Sequence, residues 1–96
     1  MEIVRLGRSG LKVSRICLGT MTFGAGADEA MSFQIMDRFA ELGGTFLDTA
    51  NVYNAGVTEE IVGRWIKARG VRDEVVLASK VFGATGDGPN ERGLSR

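Results

Sequence analysis

The chain's 96 residues and 10.3 kDa suffice for one small domain or for part of a larger one. Lys and Arg number 12 and Asp and Glu 12, so the net charge is zero, which argues against a nucleic-acid or membrane-surface partner, both of which need a basic excess. With no histidine and only Cys17, the composition also argues against a zinc or transition-metal site and an intrachain disulfide, and points to a reducing cytoplasm.

In chain order, Glu2–Leu6 and Lys12–Arg15 are extended segments around the turn-forming cluster Gly7-Arg8-Ser9-Gly10, which predicts a hairpin over residues 2–15. The opening Met1-Glu2-Ile3-Val4-Arg5 has neither the basic start nor the apolar stretch of a signal peptide. No apolar run approaches the ~18 residues of a transmembrane helix. Ile16–Thr20 reads as a buried strand in which Cys17 is a small buried residue, and Met21–Ala27, with Gly24 and Gly26, as a loop. Asp28 is the expected N-cap of a helix with Glu29 in its first turn. Met31, Ile35, Phe39 and Leu42 recur along one face of that helix, and Met31, Phe33, Ile35, Met36 and Phe39 are read as core packing before Gly43-Gly44 ends it. Thr45–Asp48 is a second strand and Thr49–Val57 a loop. Thr58 is expected to cap a second helix with Ile61, Val62, Trp65 and Ile66 inward, Glu59, Glu60, Arg64 and Lys67 solvated, and Gly70 as its stop. Val75–Ser79 is a third strand, and Ala84–Gly93 a loop holding the only proline, Pro89. Ser95 has N-cap chemistry with only Arg96 behind it, so the chain is expected to break off where a third helix would begin.

Strands alternating with helices predict an α/β fold with a parallel sheet of right-handed βαβ units. Two architectures compete for this pattern. Gly24-Ala25-Gly26 after a strand, with Asp48 about 22 residues beyond, imitates a Rossmann-type dinucleotide-binding module. Its third glycine would fall at position 29, where Glu29 stands and would repel a pyrophosphate. In the other reading, Thr20, Asp48 and Lys80 end the three strands and Tyr53 follows Asp48, the placement of active-site groups in a (β/α)8 barrel. If Leu47, Val75 and Leu77 face the outer helices, period two turns Phe46, Asp48, Val76, Ala78 and Lys80 toward the barrel axis. Asp48 and Lys80 then stand side by side at its mouth. Read alone, such a pair is more commonly a salt bridge than a catalytic pair, and Tyr53 alone a packing residue.

The surrounding residues add to the second reading. Gly10-Leu11-Lys12-Val13-Ser14-Arg15-Ile16-Cys17-Leu18-Gly19-Thr20-Met21-Thr22-Phe23-Gly24 resembles the opening of the aldo-keto reductase family. Gly43–Tyr53 and Leu77-Ala78-Ser79-Lys80 resemble two further motifs of that family, in order, and the tail Gly88–Arg96 is similar to its bacterial branch. That branch is in turn similar to the β-subunits of voltage-gated potassium channels. The resemblance implies that residues 1–96 are the N-terminal part of a (β/α)8 TIM barrel. Residues 2–15 would be a hairpin closing its bottom, and 16–96 three strands with two helices between them and a following loop. It implies NADPH-dependent reduction of aldehydes or ketones to alcohols. Asp48, Tyr53 and Lys80 would be three members of a catalytic tetrad whose histidine is absent here, and Gly19, Thr20, Met21 and Asp48 would lie at the nicotinamide end of the cofactor. Around Gly56 the segment from Tyr53 to Glu59 is a few residues longer than the family's commonest spacing.

The residue types suit the reaction. Hydride arriving at a carbonyl carbon leaves charge on oxygen that needs a proton in place, and a phenol with a pKa near 10 gives one poorly unless its anion is stabilised. An ammonium at ~4 Å supplies about 4 kcal/mol at an effective dielectric of 20, and a carboxylate beside it returns part of that while keeping it charged and aimed. Tyr53 is then the acid, Lys80 its tuner and Asp48 the positioner. The same residues fit a nucleotide-sensing regulatory subunit in which turnover matters little. With strand edges open, the 96 residues alone are expected to be inactive, and either to self-associate through those edges or to be molten.

Overall fold

The structure, a computed structural model, describes residues 1–94, so the expected cap at Ser95 lies outside the described residues. Strands β1 (Ile3–Arg5) and β2 (Lys12–Ser14) pair antiparallel, Val4 opposite Val13, with Gly7 at φ 59 supplying the left-handed step of their turn. The hairpin is pinned to the start of a later strand by a reciprocal exchange. The Ser14 N–H donates to Thr45 Oγ1 and the Thr45 N–H to Ser14 Oγ, both at 3.0 Å.

Strands β3 (Cys17–Gly19), β4 (Phe46–Asp48) and β5 (Val76–Ala78) form a parallel sheet with β4 central. Each of its two crossovers is a helix, α1 (Glu29–Glu41) and α2 (Val57–Arg69). The register aligns Leu18, Leu47 and Leu77 in one row, and all three pack on the core that the helices supply. Met36, Leu47, Val62 and Trp65 are almost wholly buried there, each contributing about 1.5–3 kcal/mol by leaving water. The rows on either side, Cys17-Phe46-Val76 and Gly19-Asp48-Ala78, have the opposite side-chain direction. Period two therefore assigns the sheet's faces as the sequence indicates.

Asp28 caps α1 as expected, its Oδ1 accepting the Met31 N–H at 2.8 Å. Gly43, at φ 89, closes the helix, and Gly44 leaves room for a side chain of the helix. The Phe39 ring lies where a Gly44 Cβ would be. Three expectations need correction. Met31 and Leu42 are exposed, because the buried stripe runs through Ser32, Met36 and Phe39, with the Ser32 hydroxyl satisfied by the Asp28 carbonyl at 2.7 Å. Thr58 does not cap α2. Gly56, at φ 94, precedes the first helical residue, and Thr58 lies inside the helix with its hydroxyl donated to the Phe23 carbonyl. Cys17 is exposed, since its row lies on the face away from the helices. Trp65 faces inward as expected, 1% exposed, and its Nε1 donates to Asp37 Oδ1 on α1. No helix among the described residues is long and apolar enough to cross a membrane.

Candidate active site

Gly19, Asp48 and Ala78 end the three parallel strands in one register row. Two residues past Ala78, Lys80 returns to the same face. Its Nζ donates to Asp48 Oδ1 at 2.7 Å and to the Thr49 carbonyl at 2.8 Å, and lies 5.2 Å from the centroid of the Tyr53 ring. An ammonium has three protons. Two are committed, and the third is left for Tyr53.

The backbone fixes this placement. Beyond the strands, the Thr49 N–H donates to the Ala78 carbonyl at 2.8 Å and the Asn51 N–H to the Lys80 carbonyl at 3.1 Å, so the β4–β5 ladder runs on under the site. The Asp48 carboxylate raises the pKa of Lys80 above the ordinary lysine value; desolvation opposes this and Tyr53 adds to it. Lys80 is therefore charged throughout the neutral range. The pair is about half exposed, 49% and 41%, so it contributes little to stability, and its importance is geometric.

Thr20 is wholly buried. Its hydroxyl and its N–H both donate to the Asp48 carbonyl, at 2.9 and 3.1 Å. Thr20 sits behind Asp48 and supports it, and of the four residues expected at the nicotinamide end, Gly19, Met21 and the Asp48 carboxylate are open to solvent. A Cβ at Gly19 would meet no atom within 4 Å, and Met21 is 64% exposed, so a flat ring has room against both. Cys17 is a poor nucleophile here, its thiol pKa pushed up first by desolvation and then by the Asp48 carboxylate.

Three residues that sequence reasoning left aside join the site. Glu59, read as solvated, accepts the Ser79 hydroxyl at 2.5 Å beside Lys80. A cavity of about 330 Å³ opens there, lined by Asn51, Glu59, Ser79, Lys80 and Val81. Asn54 reaches from the turn after Tyr53 to the loop after β3. Adjacency was the available signal, since Ser79 and Asn54 each neighbour a singled-out residue. Thr49 Oγ1 and Asn51 Oδ1 are buried without a hydrogen-bond partner, which leaves polar capacity unused at this end of the sheet. A smaller hollow of about 150 Å³ under Gly44 and Trp65 has Glu74 as its one titratable lining group and lies at the strand starts.

The N-terminus of α1 does not offer the anion site that a Rossmann unit needs. Asp28 occupies it as the cap, and Glu29 pairs with Arg64 of α2, whose Nε lies 2.8 Å from Glu29 Oε1. Comparison with known proteins decides between the two architectures. The profile of the aldo/keto reductase family matches residues 15–96.

The chain belongs to the aldo-keto reductase family.

It is 53% identical over 104 aligned positions to an uncharacterized oxidoreductase, YrpG, of Bacillus subtilis, covering 99% of this chain and 32% of that protein. It is 41% identical to a probable voltage-gated potassium channel subunit beta of Arabidopsis thaliana, covering 100% of this chain and 30% of that one. Among solved structures, the holo form of an aldo-keto reductase from Bacillus halodurans superposes with a TM-score of 0.80 at 39% identity, covering 96% of this chain and 30% of that one. The chain thus spans about a third of the length of these relatives. The fold is the hairpin and first βα units of a (β/α)8 barrel, with Asp48 and Lys80 at the strand ends where barrel active sites are built.

Proposed function

We propose that these residues serve an oxidoreductase that reduces aldehydes or ketones to alcohols with NADPH, and that Tyr53 is the proton donor. The observation that carries this reading is the Lys80 ammonium, bonded to Asp48 and poised over the Tyr53 ring. The open surface at Gly19 and Met21 and the half-exposed Asp48 carboxylate suit the nicotinamide end of NADPH, which supplies the hydride when bound. Tyr53 gives its phenolic proton to the carbonyl oxygen as charge develops there. Lys80, kept cationic by Asp48, stabilises the phenolate left behind. Thr20 holds Asp48 from below through the Asp48 carbonyl. The family's fourth tetrad residue, a histidine, has no counterpart in these 96 residues.

Tyr53→Phe in the full-length protein tests the assignment. Turnover falls by about 10²–10⁴ while NADPH affinity stays within about threefold, because the proton is delivered only in the transition state. More than about a tenth of wild-type turnover would remove Tyr53 from the role. A second reading, a nucleotide-sensing subunit of the same fold, is favoured by the likeness to the plant channel subunit. Steady-state NADPH oxidation over a panel of aldehydes separates the two.

A further inference from the structure

Asn54 and Ala55, directly after Tyr53, both hold left-handed backbone, at φ 50 and 55, before Gly56 completes the turn at φ 94. Asparagine tolerates that region; alanine does not favour it. Within the turn the Ala55 N–H donates to the Val52 carbonyl and the Val57 N–H to the Asn54 carbonyl, and contacts made outside it add to these. The Asn54 side chain supplies the outside contacts. Its Nδ2 lies 3.1 Å from the Met21 carbonyl, 2.8 Å from the Phe23 carbonyl and 2.9 Å from Thr58 Oγ1. Thr58 donates its own proton to the Phe23 carbonyl at 2.6 Å, which leaves its oxygen able to accept from Asn54. With two protons for three acceptors, one of them shared, this amide joins the loop after β3, the turn after β4 and the first turn of α2. Among the described residues, Asn54 makes the only hydrogen bonds between residues 21–27 and residues 53–56. Met21 heads the first of these segments and Tyr53 the second.

We propose that Asn54 is a positioning residue that locks the Met21 loop to the Tyr53 turn. The cofactor-facing wall and the proton donor then keep one relative placement. The inference rests on the reductase reading above. It assigns Asn54 no contact with substrate, and its effect passes through Met21 and Tyr53. Such a device matters because small displacements of reacting groups are costly in rate, about 10²-fold for 1 Å.

The test uses the full-length protein that carries these residues. Asn54→Gly keeps the left-handed backbone without steric cost and removes the amide. Asn54→Asp keeps the length and removes both donors, and serves where the glycine variant does not fold. In either variant kcat at saturating NADPH is expected to fall about tenfold or more, and NADPH affinity about three- to tenfold. The alkaline limb of the pH–rate profile stays in place, because Lys80 and Asp48 are untouched. Backbone amides of Phe23, Ala25 and Ala27, whose own bonds lie within the loop, exchange about tenfold faster or more, while those of β4 keep their protection. A glycine variant with wild-type kcat and NADPH affinity overturns the proposal, because the backbone conformation alone would then suffice. Unchanged exchange in the Met21 loop overturns it as well. A wild-type protein with no reductase turnover refutes the reductase reading instead, and the exchange measurement then decides on the lock by itself.

Discussion

Asp37→Asn isolates the charge that clamps α1 to α2. Asp37 Oδ1 accepts from Trp65 Nε1 and Arg69 Nε, both at 2.8 Å, and Oδ2 accepts from Arg69 Nη2 at 2.9 Å. The Arg69 guanidinium first, and the Trp65 indole after it, lower the Asp37 pKa from 3.8 to about 2. A depressed carboxylate pKa stabilises the fold above the unfolded value, 3.8, and that stability is lost as pH falls through the folded value, about 2. For a shielded pair a shift of this size corresponds to about 2 kcal/mol. Asp37 and Arg69 are 33% and 43% exposed, and solvent screening reduces the expectation to about 1 kcal/mol. Urea unfolding of the full-length protein and its Asp37→Asn variant should therefore differ by about 1 kcal/mol at pH 7. The gap should narrow to about half near pH 3, midway between the two pKa values. The variant keeps an acceptor for the indole, so a gap of equal size at both pH values would mean that packing, not charge, holds the clamp. No gap at pH 7 would mean that the clamp contributes nothing.

Lys80→Met should lower turnover about as far as Tyr53→Phe does, roughly 10²-fold or more, and move the alkaline limb of the pH–rate profile upward, since no ammonium remains to stabilise the phenolate. An unmoved limb would show that Lys80 does not tune the acid. Gly44→Ala should destabilise by about 1–3 kcal/mol in thermal or urea unfolding, because its Cβ falls on the Phe39 ring, and a neutral result would mean that the ring moves freely. The isolated 96-residue polypeptide should show no NADPH oxidation and should self-associate. Its exposed Ile16, Met21, Val81 and Phe82, each at 60% or more, leave apolar surface without cover. A monomeric, active polypeptide in gel filtration and a reductase assay would refute that expectation.

The fold was legible where one physical rule acted alone. Period two in Phe46–Asp48 and Val76–Ala78 assigned the sheet's faces, and the Ile61-Val62-Trp65-Ile66 spacing assigned the buried side of α2. Where two rules compete, pattern reading failed. A count of apolar residues along α1 selects Met31 and Leu42, but a serine whose hydroxyl is satisfied by its own helix can be buried at little cost. Ser32 does that, and it joins Met36 and Phe39, which are buried as expected, in place of Met31 and Leu42. Thr58 looks like a cap by residue type. The left-handed Gly56 had already set the helix start, and the Phe23 carbonyl claimed the threonine hydroxyl.

The candidate site divides in the same way. Asp48, Lys80 and Tyr53 were legible because strand ends and the loop after them are positions that topology assigns, and topology follows from local alternation. Thr20 follows the end of its strand too, but it stands one residue past the Gly19–Asp48 row and alternates with Leu18, so its hydroxyl is buried against the Asp48 carbonyl. Asn54 and Glu59 were not legible, because their partners, Met21, Phe23 and Ser79, are 20 to 33 residues away in the chain. A long-range hydrogen bond of that kind leaves no periodic trace. It depends on where two loops are brought by the strands beneath them, and only the assembled sheet specifies that distance. The catalytic candidates can thus be named from motif and topology, whereas the groups that hold them in place become visible only once β3, β4 and β5 stand in register.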